Sequence, residues 1–230
     1  SEVGSHCMPH DIAPISNTYF NIPQLKRPQF PDRTVNMGDK GLRADIPIHT
    51  IVNRTIEQLS SQGGGTVIIP AGKWISGRIE LKSFVELHIA RGAEIVFGGC
   101  AEDYLPAVFT RHEGVEIMGP GAFIYANNQE NIAITGEGRI LGPDMDAEIR
   151  KRPNGASVVE KDIPWDMPVE QRIYDGMDGR TFYRPKTISP INCRNVLIEG
   201  ITMERSTLWN VVPIYCENVI IRGITVNSTE

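Results

Sequence analysis

Apolar and polar residues alternate in short runs along most of this chain, and one such run returns nearly unchanged. Asn131-Ile-Ala-Ile-Thr-Gly136, Asn195-Val-Leu-Ile-Glu-Gly200 and Asn218-Val-Ile-Ile-Arg-Gly223 share one design, and the last two copies begin 23 residues apart. The match continues past the glycine, Ile201-Thr-Met203 against Ile224-Thr-Val226, and runs backwards to pair Cys193 with Cys216. Alternation marks a strand with one buried face. Self-similarity at a period of a few tens of residues marks a stack of like units. A short strand, a Gly or Asn bend and another short strand, repeated, predict an all-β fold, the parallel β-helix.

Ahead of the repeats, residues 1–36 read as an irregular lead-in punctuated by Pro9, Pro14, Pro23, Pro28 and Pro31. A helical period then puts Ile48, Ile51, Val52, Ile56 and Leu59 on one face. This predicts a helix over 47–62, with Asp45 as N-cap, Pro47 in the first turn and Gly63-Gly-Gly65 as the stop. Such a helix would cover the open end of the stack, where strand edges and apolar interior would otherwise meet solvent. The β-helix domain is expected over 37–230, with strands near 66–69, 85–89, 95–97, 115–117 and 123–125. Phe84 and Asn131 lie 47 residues apart, close to two periods, yet the stretch from Gly114 to Asn131 is too short for a full coil. Residues 143–183 lack alternation and are rich in charge and turn formers. Removing them leaves one 23-residue period between Asn131 and Asn195, so they are expected to be an insertion that packs, through Trp165 and Tyr174, as a wall along the stack.

Composition narrows the classes. With 230 residues, 40% of them hydrophobic, the chain can bury a sizeable core. A net charge of −5, spread along the sequence, argues against nucleic acid or an anionic membrane as partner. No apolar run reaches the roughly 18 residues of a membrane span, and the opening residues show no basic-then-apolar leader. Four cysteines are too few for a disulfide scaffold. Cys193 and Cys216 would stack about 4.8 Å apart, within disulfide range, although a ladder of small buried thiols is the simpler expectation. The five histidines show no metal-ligand spacing and Gly63-Gly-Gly65 lacks the Lys-Ser/Thr of a phosphate loop; no metal and no cofactor are expected.

Several blocks resemble a known family. Gly63-Gly-Gly-Thr-Val-Ile-Ile-Pro-Ala-Gly72, Gly77-Arg-Ile-Glu-Leu-Lys-Ser83, Leu87-His-Ile-Ala-Arg-Gly-Ala93 and Asn131-Ile-Ala-Ile-Thr-Gly-Glu-Gly138 are similar, in order, to the opening of bacterial polygalacturonases, glycoside hydrolase family 28. Arg184-Pro185, the block from Cys193 to Thr202, Trp209 and Tyr215-Cys-Glu-Asn-Val-Ile-Ile221 continue the likeness, which covers about 35–230. The resemblance implies a right-handed parallel β-helix of the pectin-lyase-like kind and inverting hydrolysis of pectin by three aspartates. It implies a pectic polysaccharide or oligogalacturonide as partner, no nucleic acid, no membrane, and a secreted or periplasmic bacterial location. The family's Asn-x-Asp, Asp-Asp, Gly-His-Gly and Arg-x-Lys blocks do not occur in this sequence, so no catalytic residue is assigned. The chain is expected to be the N-terminal part, inactive alone, with further coils supplied as a continuation or by another chain.

The period still locates the groove. Seven residues before each repeat cysteine stand Lys186 and Trp209, which should stack on one face. In the family the next such position holds the first catalytic aspartate. A cation suits a uronate and an indole suits a sugar face; with Arg184 and Asn210 beside them, these are the candidate substrate-binding residues. Relatives often carry His where Val212 stands. The three repeat asparagines are expected to form a structural ladder. Asp144/Asp146 and Asp175/Asp178 are expected to be solvated loop charge rather than a carboxylate dyad. Two other classes remain open: a non-catalytic carbohydrate-binding β-helix, and a lyase or epimerase on the same fold.

Overall fold

The computed structural model describes residues 25–152, 163 and 166–228. Across them the chain winds as a right-handed parallel β-helix, passing through three sheets on each coil. The base is β1 (Thr34–Asn36) and helix α1 (His49–Ser61). The first coil is β2 (Gly65–Ile69), β3 (Gly72–Ser76) and β4 (Ile79–Glu80). The second is β5 (Val85–Ile89), β6 (Ala93–Phe97), a hairpin of β7 (Val108–His112) and β8 (Val115–Gly119), and β9 (Ala122–Asn127). The third is β10 (Glu130–Thr135), β11 (Arg139–Leu141) and β12 (Lys186–Ile191). The fourth begins with β13 (Arg194–Glu199) and β14 (Thr202–Glu204), and β15 (Glu217–Arg222) and β16 (Thr225–Asn227) start the fifth.

One sheet stacks β1-β2-β5-β10-β13-β15, a second β3-β6-β11-β14-β16, and a third β4-β9-β12. Bridges from Ile188 to Val211 and from Ile191 to Ile214 carry the third sheet into the fourth coil. Val196 pairs with Val219 and Ile198 with Ile221, the 23-residue register of the sequence repeat. Asn131, Asn195 and Asn218 all take left-handed φ, between +50° and +57°. Their amides link up the stack: Asn218 Nδ2 donates to Asn195 Oδ1 at 3.1 Å, and Asn195 Nδ2 to Asn131 Oδ1 at 3.2 Å. Asparagine tolerates this conformation because its short amide bonds locally. On the second sheet Arg139 pairs with Glu94 below and Glu204 above, a charged rung spanning three coils.

Two expectations are corrected. The 47-residue spacing is one coil, not two: Leu87 pairs with Ile134, and the extra length is the antiparallel β7–β8 hairpin. Val115 and Ile117 alternate because they sit in a hairpin arm. Asp45 does not cap α1; it binds Arg43 at 2.8 and 3.0 Å, and Ile48 occupies the N-cap position. Tertiary bonds fix the start instead, since Ile48 N–H donates to Ile75 O and His49 Nδ1 accepts from Gly77 N. The helix buries Val52, Ile56 and Leu59 against the first coil.

Two further segments frame the stack. Residues 27–33 run outside the first sheet: Phe30 packs on Ala133, Leu197 and Ile220, Arg27 binds Glu199, and Arg33 O accepts from Thr66 N–H. The chain leaves the coil between β11 and β12, over the described residues 142–152, 163 and 166–185. Within them Tyr174 N–H donates to Met118 O at 2.8 Å, and Met118 N–H to Arg172 O at 2.9 Å, so this stretch backs the hairpin. Trp165 lies outside the described residues.

Candidate active-site groove

The outer face of the third sheet carries the residues the register singles out. Thr187 N–H donates to Trp209 O at 3.0 Å and Ile188 N–H to Asn210 O at 2.8 Å. Trp209 is therefore stacked directly above Lys186, with Ala122 below. Trp209 is 56% exposed. Lys186 is 3% exposed: its register is that of the groove, but its ammonium turns beneath the hairpin. There Nζ donates to Arg111 O at 2.8 Å and Thr110 Oγ1 at 3.3 Å. Both acceptors are neutral, and burial lowers the lysine pKa to about 8.

The hairpin is held over the sheet at base, middle and tip. At the base the buried Arg78 guanidinium donates to Tyr104 O, Pro106 O and Pro120 O, between 2.6 and 3.1 Å. In the middle Tyr125 hydroxyl donates to Phe109 O at 2.6 Å, and Val108 and Phe109 pack against the cluster of Ala122, Tyr125, Ile191 and Ile214. At the tip the Tyr215 hydroxyl donates to Glu116 Oε1 at 3.0 Å while Arg111 lies 5.6 Å from the Tyr215 ring centroid. His112 stacks on Tyr183 with centroids 4.2 Å apart. Its Nε2 is buried without a hydrogen bond among the described residues. Burial, and then the Lys186 charge, lower its pKa to about 4, so the imidazole is neutral at pH 7.

Arg184 lies to the side, donating from Nη2 to Arg150 O at 2.6 Å, with Nε buried and without a hydrogen bond among the described residues. Asn210 follows Trp209, its Oδ1 likewise buried without a partner among the described residues. The acidic pairs do not converge. Asp144 binds Arg205 at 2.9 Å. Asp175 is not solvated: it is buried, accepts two bonds from Arg180, and is held below the usual carboxylate range by them. Among the described residues no cluster of His, Cys, Asp and Glu could hold a metal ion. Sequence reasoning missed the hairpin clamp of Tyr125, Arg111, Glu116 and Tyr215. The only available sign was Tyr215 itself, an aromatic residue at a bend where Asn128 and Asn192 stand on the coils below.

A three-sheet coil closed at its base by a helix defines a pectin-lyase-like β-helix. The solved structures it resembles narrow the class to a polygalacturonase-like fold. A hyperthermoactive exopolygalacturonase from Thermotoga maritima is 37% identical, with a TM-score of 0.79, over 89% of this chain and 49% of its own. The family 28 exopolygalacturonase of Yersinia enterocolitica is 23% identical, with a TM-score of 0.64, over 86% of this chain and 39% of its own. A polygalacturonase from Erwinia carotovora is 18% identical, with a TM-score of 0.59, over 90% and 51%. The chain thus spans about half the length of the Thermotoga and Erwinia proteins. No protein-family model and no curated protein matches the sequence.

Proposed function

We propose that these coils form the N-terminal half of a glycoside hydrolase that removes galacturonate units from the ends of pectic polysaccharide. The observation that carries the reading is the 37% identity to a named exopolygalacturonase, sustained over 89% of this chain. Inverting hydrolysis needs an acid and a base on opposite sides of the scissile bond, and the 230 residues contain neither an Asn-x-Asp nor an Asp-Asp block. In this reading those carboxylates sit on coils stacked above β15 and β16. Trp209 takes a sugar face, while Arg184 and Asn210 supply polar contacts beside it. A polymeric substrate, too large to cross a membrane, supports an enzyme that acts outside the cytoplasm.

The test measures reducing ends and released monosaccharide from polygalacturonate, for residues 1–230 and for a polypeptide carrying further coils. Turnover is expected only from the longer protein, with galacturonate as the first product. Mid-chain cleavage would remove the end-on reading, and equal turnover by the short chain would place the acids within it. In the longer protein Trp209→Ala should weaken oligogalacturonide binding about tenfold, roughly 1.4 kcal/mol.

A further inference from the structure

Trp209 lies outside any strand. The residues before it, 205–208, form an irregular bend between β14 and the bridge at Val211, so its place depends on what grips that bend. Two bonds come from the coil below: Thr207 Oγ1 donates to Pro185 O at 2.6 Å, and Thr187 Oγ1 pairs with Ser206 Oγ at 3.2 Å. The others come from the side, from the foot of the insertion. Gly142 N–H donates to Glu204 O at 2.9 Å. A Cβ at Gly142 would lie 1.7 Å from Arg205 O, so only glycine permits this approach. Arg150 then bridges the two segments. On the bend, its Nη2 donates to Arg205 O at 2.5 Å and its Nη1 to Ser206 O at 3.3 Å. On the insertion, Nη2 donates to Pro143 O at 3.0 Å, and Nε to Pro143 O and Asp144 O, both at 3.2 Å. Every acceptor it bonds is a backbone carbonyl. Burial, then the charges of Arg184 and Arg205, hold its pKa below the usual guanidinium range.

We infer that Arg150 is a positioning residue for Trp209, setting its place by fastening the foot of the insertion to the bend before it; the inference rests on the proposed role of that indole as a sugar platform. The planar fork explains the choice of side chain. A guanidinium presents donors along more than one edge and can bond two chain segments at once, whereas an ammonium offers all its donors from a single point. With carbonyls held on both segments, the bend cannot slide along the insertion without breaking bonds. Trp209 comes three residues after Ser206, and its own backbone tie to β12 is the bond from Thr187 N–H to its carbonyl, at 3.0 Å. Arg150 itself needs no contact with a sugar. Its loss leaves the indole present but free to tilt, which lowers affinity for the sugar and leaves the chemical step alone.

The experiment measures kcat and KM for oligogalacturonide in the polypeptide carrying further coils. The variants are Arg150→Met, Arg150→Lys, Trp209→Ala and the double variant Arg150→Met/Trp209→Ala. Arg150→Met should raise KM about fivefold with kcat little changed. In the Trp209→Ala background it should add nothing, because its effect passes through the indole. Arg150→Lys keeps the charge but not the fork and should resemble Arg150→Met; it also serves if the methionine form does not fold. A second readout needs no turnover. In residues 1–230 with Trp74 and Trp165 replaced by Phe, Trp209 is the one remaining tryptophan, and its fluorescence anisotropy should fall in both Arg150 variants. A wild-type KM in Arg150→Lys would overturn the inference, since charge alone would then suffice. So would an equal KM penalty with and without the indole, or an unchanged anisotropy. An unchanged KM in Trp209→Ala would remove the sugar platform itself, and this inference with it.

Discussion

Asn195 sits in the middle of the amide ladder, donating to Asn131, accepting from Asn218 and holding a φ of +57°. Alanine would lose both bonds and would adopt the left-handed conformation less readily. Asn195→Ala should therefore cost roughly 2–3 kcal/mol, the sum of two modest hydrogen bonds and the backbone penalty. Chemical denaturation would measure it, and a change under about 0.5 kcal/mol would mean the ladder is ornamental. His112 predicts a pH dependence. Its folded pKa of about 4 lies below the ordinary value of 6.5, so the unfolded chain binds the extra proton first. The stability tied to a neutral His112 is complete above pH 6.5 and is lost as pH falls towards 4, by up to about 3 kcal/mol. Unfolding of wild type and His112→Phe compared between pH 7 and 4 should show this slope only in the wild type. The ladder was legible in the sequence because asparagine, glycine and a fixed period together leave few other readings. The burial of Lys186 was not, because nothing in its local pattern announces the hairpin that lies over it.

Helix α1 was legible as an element, and its apolar stripe was read correctly down to Val52, Ile56 and Leu59. Ile56 is fully buried between the helix and the first coil. Ile56→Asp would bury an unpaired charge there and should cost at least about 3 kcal/mol, lowering the melting temperature by many degrees. An unchanged melting temperature would show that the helix does not seal the stack. The start of the helix was misread because a good capping residue, Asp45, found a nearer partner in Arg43. The β7–β8 hairpin was misread for a different reason. Alternation reports that a strand is present but not its direction or its partner, so an antiparallel arm passed for part of a coil. The insertion between β11 and β12 showed itself only as missing alternation, and its packing against Met118 depends on backbone pairing that leaves no sequence signature.

For the whole molecule, the 23-residue repeat made the architecture readable, because each coil repeats the same burial problem and solves it with the same residues. The candidate site was readable only as a register: counting from the cysteines placed Lys186 under Trp209, while the clamp at Arg111, Glu116 and Tyr215 joins residues about a hundred positions apart. A solenoid whose contacts are only between neighbours behaves as a one-dimensional array, with its last layers opening independently of its first. The segment from Arg27 to Arg33 changes that. It crosses the outside of the first sheet from the fourth coil to the first, and Arg27 and Glu199 are 172 residues apart in sequence. Opening the upper coils must therefore peel away a segment anchored at the base. The consequence is cooperative opening: amide exchange in β13 and β15 should approach the rate set by global unfolding rather than by local fraying. Arg27→Ala should uncouple the two ends and speed exchange across 195–222 while leaving 65–89 protected. If both regions accelerate equally, the strap merely adds stability; if only the upper coils do, it is what makes five stacked layers unfold as one.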